Sequence, residues 1–406
     1  MTTLRVLVTD AGRGSAIAVV RSLGRRGIAV IAADHLPRSA GFRSRFAAGR
    51  VVYPDPRRDP AGVVEVLHRE ARRRRIDLII PVSDEVLLPL SDARERFEGV
   101  CALAIPDAEA LACVTDKHAT LQLARAAGVP VPASVLVHGA AQALEAAPSL
   151  GWPVVVKPVS SRRYGGHGTE AFEVSYAADV DELARRVAPL EGRCAVLLQR
   201  YHAGEGHGVE LLTDGGRPLA VFQHRRLHEV PITGGASALR ESVPVDPVMR
   251  DHATRLLAAL RWTGLAMVEF RVGPEGPVLM EINGRIWGSL PLAVKSGVDF
   301  PARLAQLYVG EQMNGERVPD EVPPPRIGVR SRNLGLELVW IASVLRGRRR
   351  YPYLETPARR RGLGAALRLL WPRDGFDLFC REDPLPGVVD VAQVARRLSA
   401  KVRDAA

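Results

Sequence analysis

Two carboxylates placed to face each other across a hairpin constrain this chain more than anything else in it. Leu265-Ala-Met-Val-Glu-Phe-Arg271 and Val278-Leu-Met-Glu-Ile-Asn283 are apolar, strand-like runs on either side of a Gly-Pro-Glu-Gly turn, which is the pattern of a β-hairpin. With Val272 paired to Val278 across a five-residue loop, Glu269 falls opposite Glu281, each three residues further along its strand. Asn283, two residues beyond Glu281, shares that face. Directly opposed like charges repel, so the pair needs either open solvent or a cation between its members. Two carboxylates and an amide oxygen form a hard-oxygen set suited to Mg²⁺. Arg285, just beyond, suits a phosphate or a carboxylate. From the hairpin alone, a metal site and two solvent-facing glutamates stay equally open.

Upstream, residues 1–110 alternate strand and helix signals, with apolar runs at Leu4–Thr9, Ile28–Ala33 and Ile76–Pro81. That βαβ pattern predicts a parallel, Rossmann-like sheet. Gly12 and Gly14, with Asp34 as a ribose acid, invite a dinucleotide reading, but Ile17 stands where the GxGxxG/A fingerprint needs a small residue. A scaffold or acceptor-binding role fits better. A helix over about 116–127 stops at Gly128-Val-Pro-Val-Pro132, residues 150–310 read as a hairpin-rich α+β region, and Val322-Pro-Pro-Pro325 marks another boundary. The expected division is 1–110, 111–325 and a short, mainly helical, basic extension over 326–406.

The net charge of +11 is local. Residues 341–373 hold nine arginines, no lysine and one acid, Glu355, so this segment carries +8 and the rest about +3. The body is therefore not built for nucleic acid. The segment itself suits docking on the body or a partner protein, or peripheral contact with a membrane, more than it suits nucleic acid, since Leu363–Trp371 interleaves apolar residues with arginine. Four scattered cysteines without a CxxC point to a reduced, cytoplasmic chain with no thiolate metal site. No basic-then-apolar leader opens the sequence, and the apolar stretch at Leu334–Leu345 is too short to span a bilayer.

Several other constellations suit nucleotide chemistry. Trp152-Pro-Val-Val-Val-Lys157 is a strand that delivers a lysine to the glycine- and hydroxyl-rich run Val159–Thr169, containing Gly165, Gly166 and Gly168. Such a run can aim backbone N–H groups at phosphates, although it is no P-loop, and a plain hairpin loop is the alternative. Ala195–Glu205 is a strand leaving into a polar bend, able to offer backbone groups to an adenine edge, or else simply a strand and a turn. Arg225, Arg240 and the loop Thr233–Ser237 could hold an anionic substrate, with Ser289 beyond Arg285; a solvated basic strand is the other reading. His224 and His228 do not form an HExxH zinc site, and no Ser-His-Asp or Cys-His arrangement is recognisable.

The order Lys117, Lys157, glycine run, Gln199 to Glu205, Glu269 and Glu281-x-Asn283-x-Arg285 resembles the ATP-grasp superfamily, in its carbamoyl-phosphate-synthase-like branch of predicted carboligases. The resemblance covers about residues 1–320. It implies an α/β and α+β architecture, in which a Rossmann-like pre-ATP-grasp domain precedes a two-lobed ATP-grasp domain. It also implies that Lys117 and Lys157 contact the phosphates of ATP and that Gly165, Gly166 and Gly168 close over them. Gln199, Arg200 and Tyr201 would form the adenine hinge, with Glu205 the ribose acid. Glu269, Glu281 and Asn283 would hold one or two Mg²⁺ ions, with Mn²⁺ an acceptable substitute, and Arg285 would stabilise the transferred phosphoryl group. The implied activity is an ADP-forming ligase that activates a small-molecule carboxylate as an acyl phosphate for an amine or related nucleophile. A bicarbonate-using carboxylase and a non-catalytic nucleotide-binding regulatory module stay open as alternatives, as does a homodimer.

Overall fold

The computed structural model describes residues 4–160, 162–165, 168–310, 319, 321–347, 351–370 and 374–403. The apolar runs of the first hundred residues become five parallel strands, β1 (Arg5–Val8), β2 (Ala29–Asp34), β3 (Ala47–Val52), β4 (Leu78–Ile80) and β5 (Ala102–Leu103), in the order β3-β2-β1-β4-β5. Strand alternation splits β1 between two cores. Val6 and Val8 face the helices Gly14–Arg25 and Phe300–Val309, while Leu7 faces the helix Pro60–Arg74. Covered on both sides, the sheet reads as nearly continuous apolar sequence. The strand order reverses between β1 and β4, and the helix Asp84–Asp92 starts just past β4 at that edge.

A four-stranded antiparallel sheet follows. It contains β6 (Ser134–Val137), β7 (Val154–Pro158), β10 (Ser175–Ala177) and β11 (Val196–Arg200), with a small hairpin of β8 (Arg162–Gly165) and β9 (Gly168–Ala171) between β7 and β10. Helices Ala140–Leu150 and Val180–Val187 cover one face of this sheet and bury Val154, Val156, Val196 and Leu198.

The third sheet has seven strands. These are β12 (Glu205–Asp214), β13 (Arg217–Val230), β14 (Ala236–Ser242), β15 (Gly264–Gly273), β16 (Gly276–Asn283), β17 (Arg330–Arg332) and β18 (Gly375–Phe376), in the order β16-β15-β12-β13-β14-β17-β18. Phe222 and Met267 from this sheet enter the same core as Val6 and Val8, so the first and third sheets share one interior.

The β15–β16 hairpin is tighter than the five-residue loop expected from the sequence. Gly273 pairs with Gly276 around Pro274-Glu275, and Val272 pairs with Pro277 rather than Val278. Proline is pre-set for the first turn position, and Gly276 takes φ 97°, which a side chain would resist. This slips the register by one residue, and a bulge at Met280 restores it, so that Glu269 still lies opposite Glu281.

Residues beyond 326 contribute β17 and β18 to the large sheet as well as the helices Leu334–Arg346, Arg359–Arg368 and Leu385–Arg403. They also carry acids to buried arginines elsewhere, pairing Asp377 with Arg240 at 2.5 Å, Asp374 with Arg332, and Asp383 with Arg21 at 2.9 Å. A guanidinium in the interior is tolerable only with such a partner. Asp383, 1% exposed, also accepts from Ser44 Oγ at 2.7 Å and Arg45 N at 2.9 Å. Asp383→Ala is expected to cost about 3–5 kcal/mol in urea unfolding, because Arg21 stays buried without a carboxylate. A loss below about 1 kcal/mol would mean that the pair behaves as a surface one.

Candidate functional site

A cleft of about 460 Å³ opens between the four-stranded and seven-stranded sheets, and a smaller cavity of about 260 Å³ lies on the other side of the end of β16. Glu281, Asn283 and Arg285 line both spaces. Lys157, at the end of β7, enters the first; Lys117, at the head of the helix Lys117–Ala126, enters the second. The two lysines thus approach one carboxylate hairpin from opposite sides.

The bulge supplies the local reason for this geometry. It takes Met280 out of the strand ladder, and the Met280 carbonyl accepts from Lys157 Nζ at 3.0 Å. Asn283 Nδ2 donates to Glu269 Oε1 at 2.9 Å and Glu281 Oε1 at 3.3 Å. Arg226 Nη2 sits 2.5 Å from Glu269 Oε1. Burial pushes the Glu269 carboxyl above its usual range despite Arg226, with the Glu281 charge adding to the rise. Burial pushes Glu281 the same way, but Lys157, Lys117, Arg226 and Arg285 outweigh it and leave that carboxyl below the usual range. Burial also lowers Lys117, while Glu281 draws it back up. The two acids differ because the cations crowd around one of them.

This donor set fits a divalent cation. Two opposed carboxylates carry a repulsion that a metal would remove, and Asn283, turned over about its last side-chain torsion, presents Oδ1 at the same place. Among the described residues no three His, Cys, Asp or Glu side chains gather at one point, so the amide is the third ligand on offer.

The remaining expected residues divide. Gln199, Arg200 and Tyr201 line the cleft beside Val155 and Tyr176, with Arg200 Nε held by the Leu150 carbonyl at 3.1 Å. Arg240 and Ser289 line its far end, where Asp377 neutralises Arg240. Arg285 donates from Nε to Asp84 Oδ2 at 3.0 Å, a link from the hairpin to the edge of the parallel sheet. Gly165 and Gly168 pair at the tip of the β8–β9 hairpin, and Gly166 lies outside the described residues.

Two expectations do not meet the geometry. Arg225 lies outside the cleft and pairs with Glu241 at 2.7 Å, because β13–β14 pairing sets Arg225 against Glu241 and Arg226 against Arg240. Adjacent strand residues face opposite ways, so Arg225 and Arg240 cannot share a site, whereas Arg226 and Arg240 do. Glu205 likewise turns to His207 at 3.1 Å and Arg225 at 3.7 Å. Glu229, paired with Arg271 at 3.1 Å, lines the cleft instead. Arg226, Glu229 and Asp84 were missed by sequence reasoning; counting strand parity back from Arg240 would have found the first. Among the described residues six cations and three carboxylates line the cleft, and with Arg240 and Arg285 paired to Asp377 and Asp84 a small positive excess is left to suit a polyanion.

Arg226→Met leaves Glu269 without its guanidinium, while Glu229 keeps Arg271, and is expected to cost about 3–5 kcal/mol. Arg225→Met, on the other face, is expected to stay within about 1 kcal/mol. Equal losses in urea unfolding would contradict this assignment of faces.

Residues 193–334 match the family model described as ATP-grasp in the biosynthetic pathway with Ter operon. The carbamoyl phosphate synthase large chain of Thermus thermophilus is 28% identical over 279 residues, covering 66% of this chain and 26% of that one. The large chain of Thermomicrobium roseum is 27% identical over 312 residues, 74% of this chain and 28% of its own length. The chain therefore spans about a quarter of these curated relatives. Among solved structures, the biotin carboxylase domain of Hydrogenobacter thermophilus 2-oxoglutarate carboxylase, in complex with MgADP, ADP and bicarbonate, superposes with a TM-score of 0.61 at 18% identity, covering 81% of this chain and 74% of that one. The L-amino acid ligase from Bacillus licheniformis gives a TM-score of 0.59 at 17% identity, with coverages of 80% and 78%.

Proposed function

We propose that this chain, which belongs to the ATP-grasp superfamily and is carbamoyl-phosphate-synthase-like, is an ADP-forming ligase that activates a carboxylate as an acyl phosphate for attack by an amine or related nucleophile. The observation that carries the reading is the end of the bulged hairpin, where Glu269, Glu281 and Asn283 lie between two lysines and Arg285. Phosphoryl transfer to a carboxylate asks for positioning and charge neutralisation more than covalent help from the protein.

Glu269, Glu281 and Asn283 would hold Mg²⁺, which when bound offsets charge on the β- and γ-phosphates. Lys157, fixed by the Met280 carbonyl, and Lys117, at its helix start, hold the phosphates from two sides. Gln199, Arg200 and Tyr201 form the adenine end, and Glu229 is the carboxylate that the cleft offers to a ribose. An oxygen of the substrate carboxylate attacks the γ-phosphorus, and the bond to the β–γ bridging oxygen breaks toward ADP, with Arg285 balancing charge on the transferred group. The nucleophile's nitrogen then attacks the acyl carbon, phosphate departs with the bonding pair, and the nitrogen gives up a proton. Arg240 and Ser289, beside the metal ligands at the far end of the cleft, fit the acceptor.

Bicarbonate as the acceptor is a second reading, favoured by the likeness to a biotin carboxylase domain bound to bicarbonate. That domain is described as a dimer, which supports a homodimer here. The test is release of phosphate and ADP from MgATP over a panel of carboxylates including bicarbonate, with and without amines. Acid-dependent ADP and phosphate are expected. AMP with pyrophosphate would sink the acyl-phosphate route, and the absence of acid-dependent turnover would point to a binding module. Glu281→Gln is expected to lower turnover at least about a hundredfold while the protein still unfolds cooperatively.

A further inference from the structure

The helix Arg359–Arg368 has faces of different chemistry. Its inner face is small. Ala365 packs with Trp340, Ile341 and Val344 of the helix Leu334–Arg346, and a Cβ on Gly362 would meet Val344 at 3.1 Å and Leu345 at 3.2 Å. That close approach fixes which way the helix faces. At about 100° per residue, Leu363, Leu367 and Leu370, the last just past the helix, fall together on one narrow outward stripe. They are 58%, 74% and 88% exposed. Arg360 flanks the stripe on one side and Arg359 on the other, with its guanidinium over Gly347, where an added Cβ would meet Nη2 at 2.8 Å; Arg361 and Arg368 project from the side away from the leucines, and all four are exposed. None of the ion pairs found between described residues engages these four guanidiniums, and Glu355 is the one acid among residues 341–373.

Scattered surface leucines need no explanation, but three at helical spacing, on a helix whose exposed arginines make no ion pair found among the described residues, form a specific surface. We infer that this helix docks on an anionic lipid bilayer, with the leucines entering the acyl boundary and the arginines on lipid phosphates. Charge complementarity selects that occupant. A second copy of this chain would bring one cationic stripe against another, and a nucleic acid would use the arginines while leaving the leucines in water. No helix among the described residues is long and apolar enough to cross a membrane, so the contact is peripheral. Arg348, Arg349, Arg350 and Arg373, which would add charge, lie outside the described residues. The inference does not depend on the proposed ligase activity.

The test is co-sedimentation of the full chain with vesicles of phosphatidylcholine alone and of phosphatidylcholine with phosphatidylglycerol. Binding is expected only with the anionic lipid, falling with added salt. Arg360→Glu is expected to weaken binding at least fivefold, since each surface arginine is worth roughly that factor. Leu367→Asp is expected to weaken it at least about tenfold, with the melting temperature and any ATP turnover unchanged. No binding to anionic vesicles, or binding indifferent to Leu367→Asp, would overturn the inference. So would a dimer that Leu367→Asp dissolves, or DNA binding, in a protein that ignores vesicles.

Discussion

Bringing two carboxylates together inside a protein is unfavourable, and much of the centre of this molecule is arranged around that cost. Glu269 and Glu281 are held opposite each other by a bulge, bridged by the Asn283 amide, and flanked by Arg226 on one side and lysines on the other. Each compensating group comes from a different element. Arg226 rides on β13, Lys157 on β7, and Lys117 on the helix Lys117–Ala126. The elements must therefore meet at one point for the charges to balance. Arg285 adds a fourth direction by reaching Asp84 at the edge of the parallel sheet.

The bulge at Met280 does two things at once. It brings the carboxylates into opposition after the turn has put the strands out of step, and it leaves a main-chain carbonyl for Lys157. A regular hairpin would have carried one glutamate toward the far face and given the lysine nothing to hold. Here local irregularity is what makes the site.

How much of this can be read from residues alone depends on the scale of the feature. The parallel sheet is plain in the sequence, because strands buried on both faces, such as Leu4–Thr9 and Ile28–Ala33, are unbroken apolar runs. The opposition of Glu269 and Glu281 is also legible, although its register arises from a tighter turn and a compensating bulge that no composition signals. Arg225 and Arg226 are adjacent and chemically alike, so only the pairing of β13 with β14 shows which one faces the cleft. Glu205 sits at the right place in the chain but turns toward His207 and Arg225. Strands as short as Arg330–Arg332 and Gly375–Phe376 carry no periodicity to detect. The acids that neutralise Arg21, Arg240 and Arg332 come from more than 40 residues away, beyond any local pattern.

The clasp between Arg21 and Asp383 gives this fold a timing. Synthesis runs from the amino end, so the helix Gly14–Arg25 leaves the ribosome well before the carboxylate of its buried guanidinium, which lies 362 residues later. Chains commonly fold from the amino end as they are made. During that interval Arg21 carries a charge that cannot be buried without penalty, so its helix face stays hydrated until Asp383 has been made. Final compaction around Arg21 thus waits for a segment made more than three hundred residues after it.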